Sequence, residues 1–166
     1  RPTKDIDITL EILTLGELEN LRQLLNQKGF YQTAEDNVIC RFRFEEIIID
    51  VMATRPIGWA PANPWFEAGI ASTLAIDIDD VTIKILSLPY YLATKFSAFF
   101  DRGSKDPRTS HDFEDIVYLL NYSSYLKTAI LNANKDVQTY LKHAFLKILN
   151  SPILKEAVIG NLFYEN

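Results

Sequence analysis

From Asp5 onward the chain alternates: Asp5, Asp7, Thr9 and Glu11 are polar, while Ile6, Ile8, Leu10 and Ile12 are apolar. A period of two predicts a β-strand with one apolar face, and Ile6, Ile8 and Leu10 are expected to pack against helices behind the sheet. Leu15, Leu18, Leu21, Leu24 and Leu25 then recur at helical spacing up to a stop at Gly29. Over 37–44 the alternation returns, with Val38, Cys40, Phe42 and Phe44 against Ile39, Arg41 and Arg43. An apolar run over 46–54 follows at once, so the two segments predict a hairpin turning near Glu45 and Glu46. A Pro- and Gly-rich loop leads into a predicted helix over 65–76 and a fourth strand over 80–88. Beyond Leu88 only helical patterns remain, over 89–102, 111–121, 124–149 and 153–164. This order predicts an α+β fold. A small mixed β-sheet core with helices on one face would occupy 1–87, and a C-terminal helical bundle 88–166.

Composition narrows the class. A chain of 166 residues, 48% hydrophobic and 23% charged, suits one domain, or one core with an appended bundle. No apolar run reaches the roughly 18 residues that a membrane span requires, and the start lacks a signal-peptide pattern. A cytoplasmic protein with no membrane partner is expected. The single cysteine, Cys40, excludes an internal disulfide and suits a reducing compartment. A net charge of −5 argues against a protein that coats nucleic acid, while leaving room for a local basic groove.

The first strand carries the candidate chemistry. Residues two apart on a strand share a face, so the Asp5 and Asp7 carboxylates point the same way, with roots about 6–7 Å apart. In the third strand Ile47, Ile49 and Val51 share one face, while Glu46, Ile48, Asp50 and Met52 share the other. If these strands are neighbours, Asp50 joins Asp5 and Asp7. Three carboxylates on one open face form a site for hard cations such as Mg²⁺. A wet sheet face that merely keeps its acids solvated fits the same spacing.

The stretch "RPTKDIDI", followed about forty residues later by "IIIDVM", resembles the nucleotidyltransferase superfamily with the DNA polymerase β-type fold. It is most similar to the minimal, AbiEii-type toxin branch. "CRFRFEEIIIDVMAT", "NPWF", "LATKFSAFFDRG" and "SHDFEDIVYLL" follow in the order typical of that branch. The resemblance covers roughly residues 1–122. It implies that Asp5, Asp7 and Asp50 are catalytic and hold two Mg²⁺ ions, and that Thr3, Lys4, Arg41, Lys95 and Arg102 bind the NTP. The implied reaction moves an NMP to an acceptor hydroxyl on tRNA or other RNA, a protein or a small molecule. A toxin role beside a partner antitoxin is implied as well. The superfamily's Gly-Gly or Gly-Ser turn, which holds nucleotide phosphates just before D-x-D, is not found from Arg1 onward. The expectation is that the intact protein carries it ahead of Arg1. Two other outcomes remain open: a non-catalytic nucleotide-binding or interaction module that retains the fold, and a metal-dependent phosphohydrolase.

Other residues have simpler readings beside the functional ones. Tyr91, Lys95, Ala98 and Arg102 form one helical stripe, suited to phosphate binding or to plain solvation. Ser110 is a predicted N-cap, and Asp112 suits the positive end of the helix it opens. Asp115 is expected to form a salt bridge that orients Lys95 or Arg102. Arg41 and Arg43 would balance the acids or contact phosphates. His111 reads as incidental, and Trp59, Trp65 and Phe66 as packing residues more than base-stacking ones.

Overall fold

The structure, a computed structural model, describes residues 5–36 and 39–163. Thr3 and Lys4 lie outside them. Contacts divide the chain into two compact units, Arg1–Glu67 and Ala68–Asn166. The boundary drawn on sequence, at 87/88, marks where strands give way to helices and remains a proposal about domains. The α+β class stands, with a three-stranded sheet, a two-stranded sheet and helices among the described residues.

In the first unit, β1 (Asp5–Leu10) leads into α1 (Leu15–Gln27), which is followed by β2 (Arg41–Phe44) and β3 (Ile47–Ala53). The sheet order is β1-β3-β2, with β1 parallel to β3 and β2 antiparallel to it. Helix α1 starts in a capping box: the Glu17 backbone N–H donates to Thr14 Oγ1, and Glu17 accepts from the Thr14 N–H. The β2–β3 turn falls at Glu45–Glu46 as predicted, and Glu45 takes a left-handed φ of 52°. Ile12, Leu18, Ala53 and Ala60 form a buried cluster flanked by Leu10 and Trp59. The expected burial of the whole apolar edge of β1 does not occur. Ile6 is 51% exposed and Ile8 36%, because that cluster sits only at the Leu10 end of the strand.

The second unit differs from the sequence reading in two places. The helix predicted over 65–76 is only α2 (Phe66–Ile70), and β4 (Thr73–Ile78) takes over to pair antiparallel with β5 (Val81–Leu86). Asp79, at φ 50°, makes the turn, and the Thr82 hydroxyl donates across the pair to Asp77. The long helix predicted over 124–149 is two, α5 (Leu126–Asn132) and α6 (Lys135–Asn150). Asn134 breaks it, because its amide donates to the hydroxyl of buried Tyr90 while its backbone turns extended. The Gln138 amide then donates to the carbonyls of Leu131 and Ala133, which the broken helix would otherwise leave bare.

Helix α3 (Leu88–Ala98) is central to this unit and packs on α4 (His111–Tyr122), α5 and α6. Phe96, Phe99, Phe113, Ile116 and Leu141 are fully buried around it. The chain leaves α3 through a π-helical turn, Phe99–Gly103, and α7 (Pro152–Phe163) packs against α4 and α6.

Candidate functional site

Register decides which side chains of the sheet meet. Asp7 pairs with Asp50 across the parallel β1–β3 contact, and Asp50 pairs with Arg41 across the antiparallel β2–β3 contact. Partners opposite one another in a pleated sheet project to the same side, so Asp5, Asp7, Asp50, Arg41 and Arg43 share a face. The three acids lie on one face of one sheet.

Arg41 organises this face. Its Nε donates to Asp50 Oδ1 at 2.8 Å, and its Nη2 donates to Asp50 Oδ2 at 2.7 Å and to Asp5 Oδ2 at 3.3 Å. One nitrogen serves both acids, so those two carboxylate oxygens lie within the span of two hydrogen bonds. The Asp50 side chain is 13% exposed, that of Arg41 22% and that of Asp5 45%. The hydrogen bonds it donates to Asp50, and the charges of Asp50 and Asp5, hold the guanidinium more firmly protonated than usual. Among the described residues no three acidic, histidine or cysteine side chains gather closely enough to hold a metal ion as they stand. Arg41 sets a positive charge among the acids. The donor set of Asp5, Asp7 and Asp50 is all oxygen, the chemistry that Mg²⁺ takes.

Arg43 does not attend to these acids. Its Nε donates to Asp36 Oδ2 at 2.9 Å and its Nη2 to Asp36 Oδ1 at 2.7 Å, which ties the preceding loop to β2. The hydrogen bond from Arg43 holds the Asp36 carboxyl below the usual aspartate range.

A second polar cluster lies on the helices. Lys95 Nζ is 2.7 Å from Asp115 Oδ2 and 3.9 Å from Asp112 Oδ1. Arg102 donates from Nε to Asp112 Oδ2 at 3.0 Å and from Nη2 to Asp112 Oδ1 at 3.2 Å. The salt bridge expected of Asp115 is therefore present, and it chooses Lys95 over Arg102. Burial works against the charged form of Lys95, but Tyr91, the Asp115 hydrogen bond and the nearby Asp112 outweigh it and hold the ammonium protonated beyond the usual lysine range. Asp112 does more than complement a helix dipole, since its side chain is only 10% exposed and shared between two cations. The local sequence does not signal this, because Arg102 reaches Asp112 across the loop that separates their helices. Ser110 caps α4 as expected by accepting from the Phe113 N–H. A Cβ on Gly103 would run into the Ser110 side chain, so the close approach of the π turn to α4 requires glycine there.

Three further candidates make local contacts. His111 is exposed and pairs with Glu114 one turn on, at 3.2 Å. Trp59 donates its indole N–H to Glu19 and packs on buried Phe42, and Phe66 is itself buried.

The family model described as nucleotidyl transferase AbiEii toxin, type IV toxin–antitoxin system, matches residues 1–160. The chain belongs to this family. Membership makes the protein a nucleotidyltransferase of the AbiEii toxin type, with a nucleotide as substrate and an antitoxin as the partner in its system. The match extends past the stretch that carries the sequence resemblance and takes in α5, α6 and most of α7. Neither a curated protein nor a solved structure matches the chain. Among the described residues no helix is long and apolar enough to cross a membrane.

Proposed function

We propose that the Asp5, Asp7 and Asp50 face is the catalytic face of this AbiEii-family nucleotidyltransferase. The reaction transfers an NMP from an NTP to an acceptor hydroxyl, on RNA, a protein or a small molecule, with pyrophosphate as leaving group. The observation that carries this reading is the parallel register that sets Asp7 opposite Asp50, with Asp5 and Asp50 bonded to one Arg41 nitrogen. Two strands forty residues apart thus bring acids together on a face that a purely structural sheet would not need to charge.

In this reading Asp5, Asp7 and Asp50 are the residues that would hold the two Mg²⁺ ions. The chemistry of such ions, when bound, is to neutralise phosphate charge and to acidify the attacking hydroxyl. The chain's own groups do the rest. Arg41 supplies a guanidinium beside the acids for the incoming phosphates. Lys95, oriented by Asp115, binds the β- and γ-phosphates, where charge builds as pyrophosphate leaves. Arg102, anchored on Asp112 yet 71% exposed, adds a second phosphate contact. Thr3 and Lys4 complete the nucleotide contacts by the family resemblance. The cytoplasm is the compartment in which this reaction operates.

A second reading has its own supporting observation. The hold of Arg41 on Asp50 already offsets one of the acids' charges, as in a module that keeps the fold and binds nucleotide without turnover. Incubating the protein with each labelled NTP, Mg²⁺ and total cellular RNA or protein separates three outcomes. Label in a macromolecule supports transfer, free NMP supports hydrolysis, and binding without either product supports the module.

A further inference from the structure

Helices α3 and α4 run antiparallel, because Lys95 meets Asp115 while Arg102, in the π-helical turn that continues α3, meets Asp112, further back on α4. One turn before Lys95 lies Tyr91, and one turn after Asp115 lies Tyr118. Both steps lead the same way along the helix pair, and Tyr122 continues the α4 stripe by one more turn. The three rings are 37%, 41% and 56% exposed, in the order Tyr91, Tyr118 and Tyr122. The Tyr118 and Tyr122 rings lie 4.6 Å apart between centroids, tilted by 40°. Lys95 Nζ sits 5.4 Å from the centroid of the Tyr91 ring, so the aromatic ledge begins at the ammonium itself.

We propose that this ledge of Tyr91, Tyr118 and Tyr122 stacks a nucleobase whose phosphate is held by Lys95. A nucleotide carries a flat aromatic base and an anionic phosphate at opposite ends of one ribose, and the helix pair offers the matching sequence of ring and cation. Stacking on tyrosine is tolerant of base identity because every base has a π-face. The inference rests on the phosphate role given above to Lys95. The base belongs either to the incoming nucleotide or to an RNA acceptor.

Calorimetric binding tests this with the four NTPs and Mg²⁺ in one arm and a short single-stranded oligoribonucleotide in the other. Wild type is compared with the double variants Tyr118→Ala/Tyr122→Ala and Tyr118→Phe/Tyr122→Phe, with Tyr91→Ala and with Lys95→Ala, and thermal melting serves as the fold control. The alanine variants are expected to bind at least about fivefold more weakly, and the phenylalanine variant as wild type does, because stacking needs the ring and not the hydroxyl. A loss confined to the NTP arm assigns the base to the incoming nucleotide, and a loss confined to the RNA arm assigns it to the acceptor. Tyrosine-dependent binding that Lys95→Ala leaves untouched supports the ledge and removes the phosphate role of Lys95. Binding equal to wild type in the folded alanine variants, or no binding of either ligand by wild type, overturns the proposal.

Discussion

Both arms of the Arg41 guanidinium close on Asp50, Nε on Oδ1 at 2.8 Å and Nη2 on Oδ2 at 2.7 Å. A bidentate pair of this kind fixes direction as well as charge. It sets one permanent cation among acids that are proposed to hold exchangeable ones, so the structural and catalytic roles of the face are coupled.

Arg41→Ala should therefore lower stability most when no divalent cation is present. Asp50, largely buried, would lose its partner at a cost of about 1–3 kcal/mol, or several degrees of Tm for a chain of this size. Mg²⁺ that binds the same acids in the folded state should narrow the gap. Melting curves of both proteins across a Mg²⁺ titration check this, and a gap indifferent to Mg²⁺ would count against the ion's place on this face.

Lys95→Ala should weaken NTP binding and slow transfer by roughly 10²-fold, the effect of losing one preorganised stabilising group. On the stripe pattern alone, a phosphate-binding or solvated Lys95 could be removed without touching the fold. The structure alters that expectation. Lys95 is only 18% exposed and bonded to Asp115, so its removal should also cost about 1–3 kcal/mol by leaving Asp115 and Asp112 with fewer partners. Binding and melting measured on one preparation separate the two effects. Unchanged affinity in a folded variant would return Lys95 to a purely structural role.

The Asp36–Arg43 pair should contribute stability that depends on acid pH. Arg43 holds the Asp36 carboxyl below its ordinary value, so the folded state keeps the carboxylate where the unfolded chain has begun to bind a proton. That stability is fully present above the unfolded value of about 4 and is lost as pH falls through the lower folded value. Wild type should melt above Asp36→Asn at neutral pH, and the difference should close at the acid end. Equal curves across the range would show that the pair contributes nothing.

What the sequence made legible was local. The alternation through β1 and the lone acid in β3 can be read because each residue's face follows from its neighbours, and the register then made Asp5, Asp7 and Asp50 a shared surface. The features that escaped depend on distant partners. "TLAIDI" suits a helix or a strand, and only the left-handed turn at Asp79 with pairing to β5 decides it. The break between α5 and α6 depends on Asn134 reaching Tyr90, far back in the chain. Arg102 finds Asp112, and Arg43 finds Asp36, through loops whose course no periodicity encodes. Ile6 and Ile8 show the converse, since an apolar face was legible but its degree of burial was not.

The most direct measurement is transfer of label from NTP with Mg²⁺ by wild type and by Asp7→Asn, with circular dichroism and melting run beside it. Asp7 pairs with Asp50 in the register, and asparagine keeps the side chain's size while removing its charge, so melting and circular dichroism separate a loss of chemistry from a loss of fold. The account predicts labelled acceptor from wild type, and at least about 10²-fold less from an equally folded Asp7→Asn protein. Equal transfer by the two proteins would contradict it.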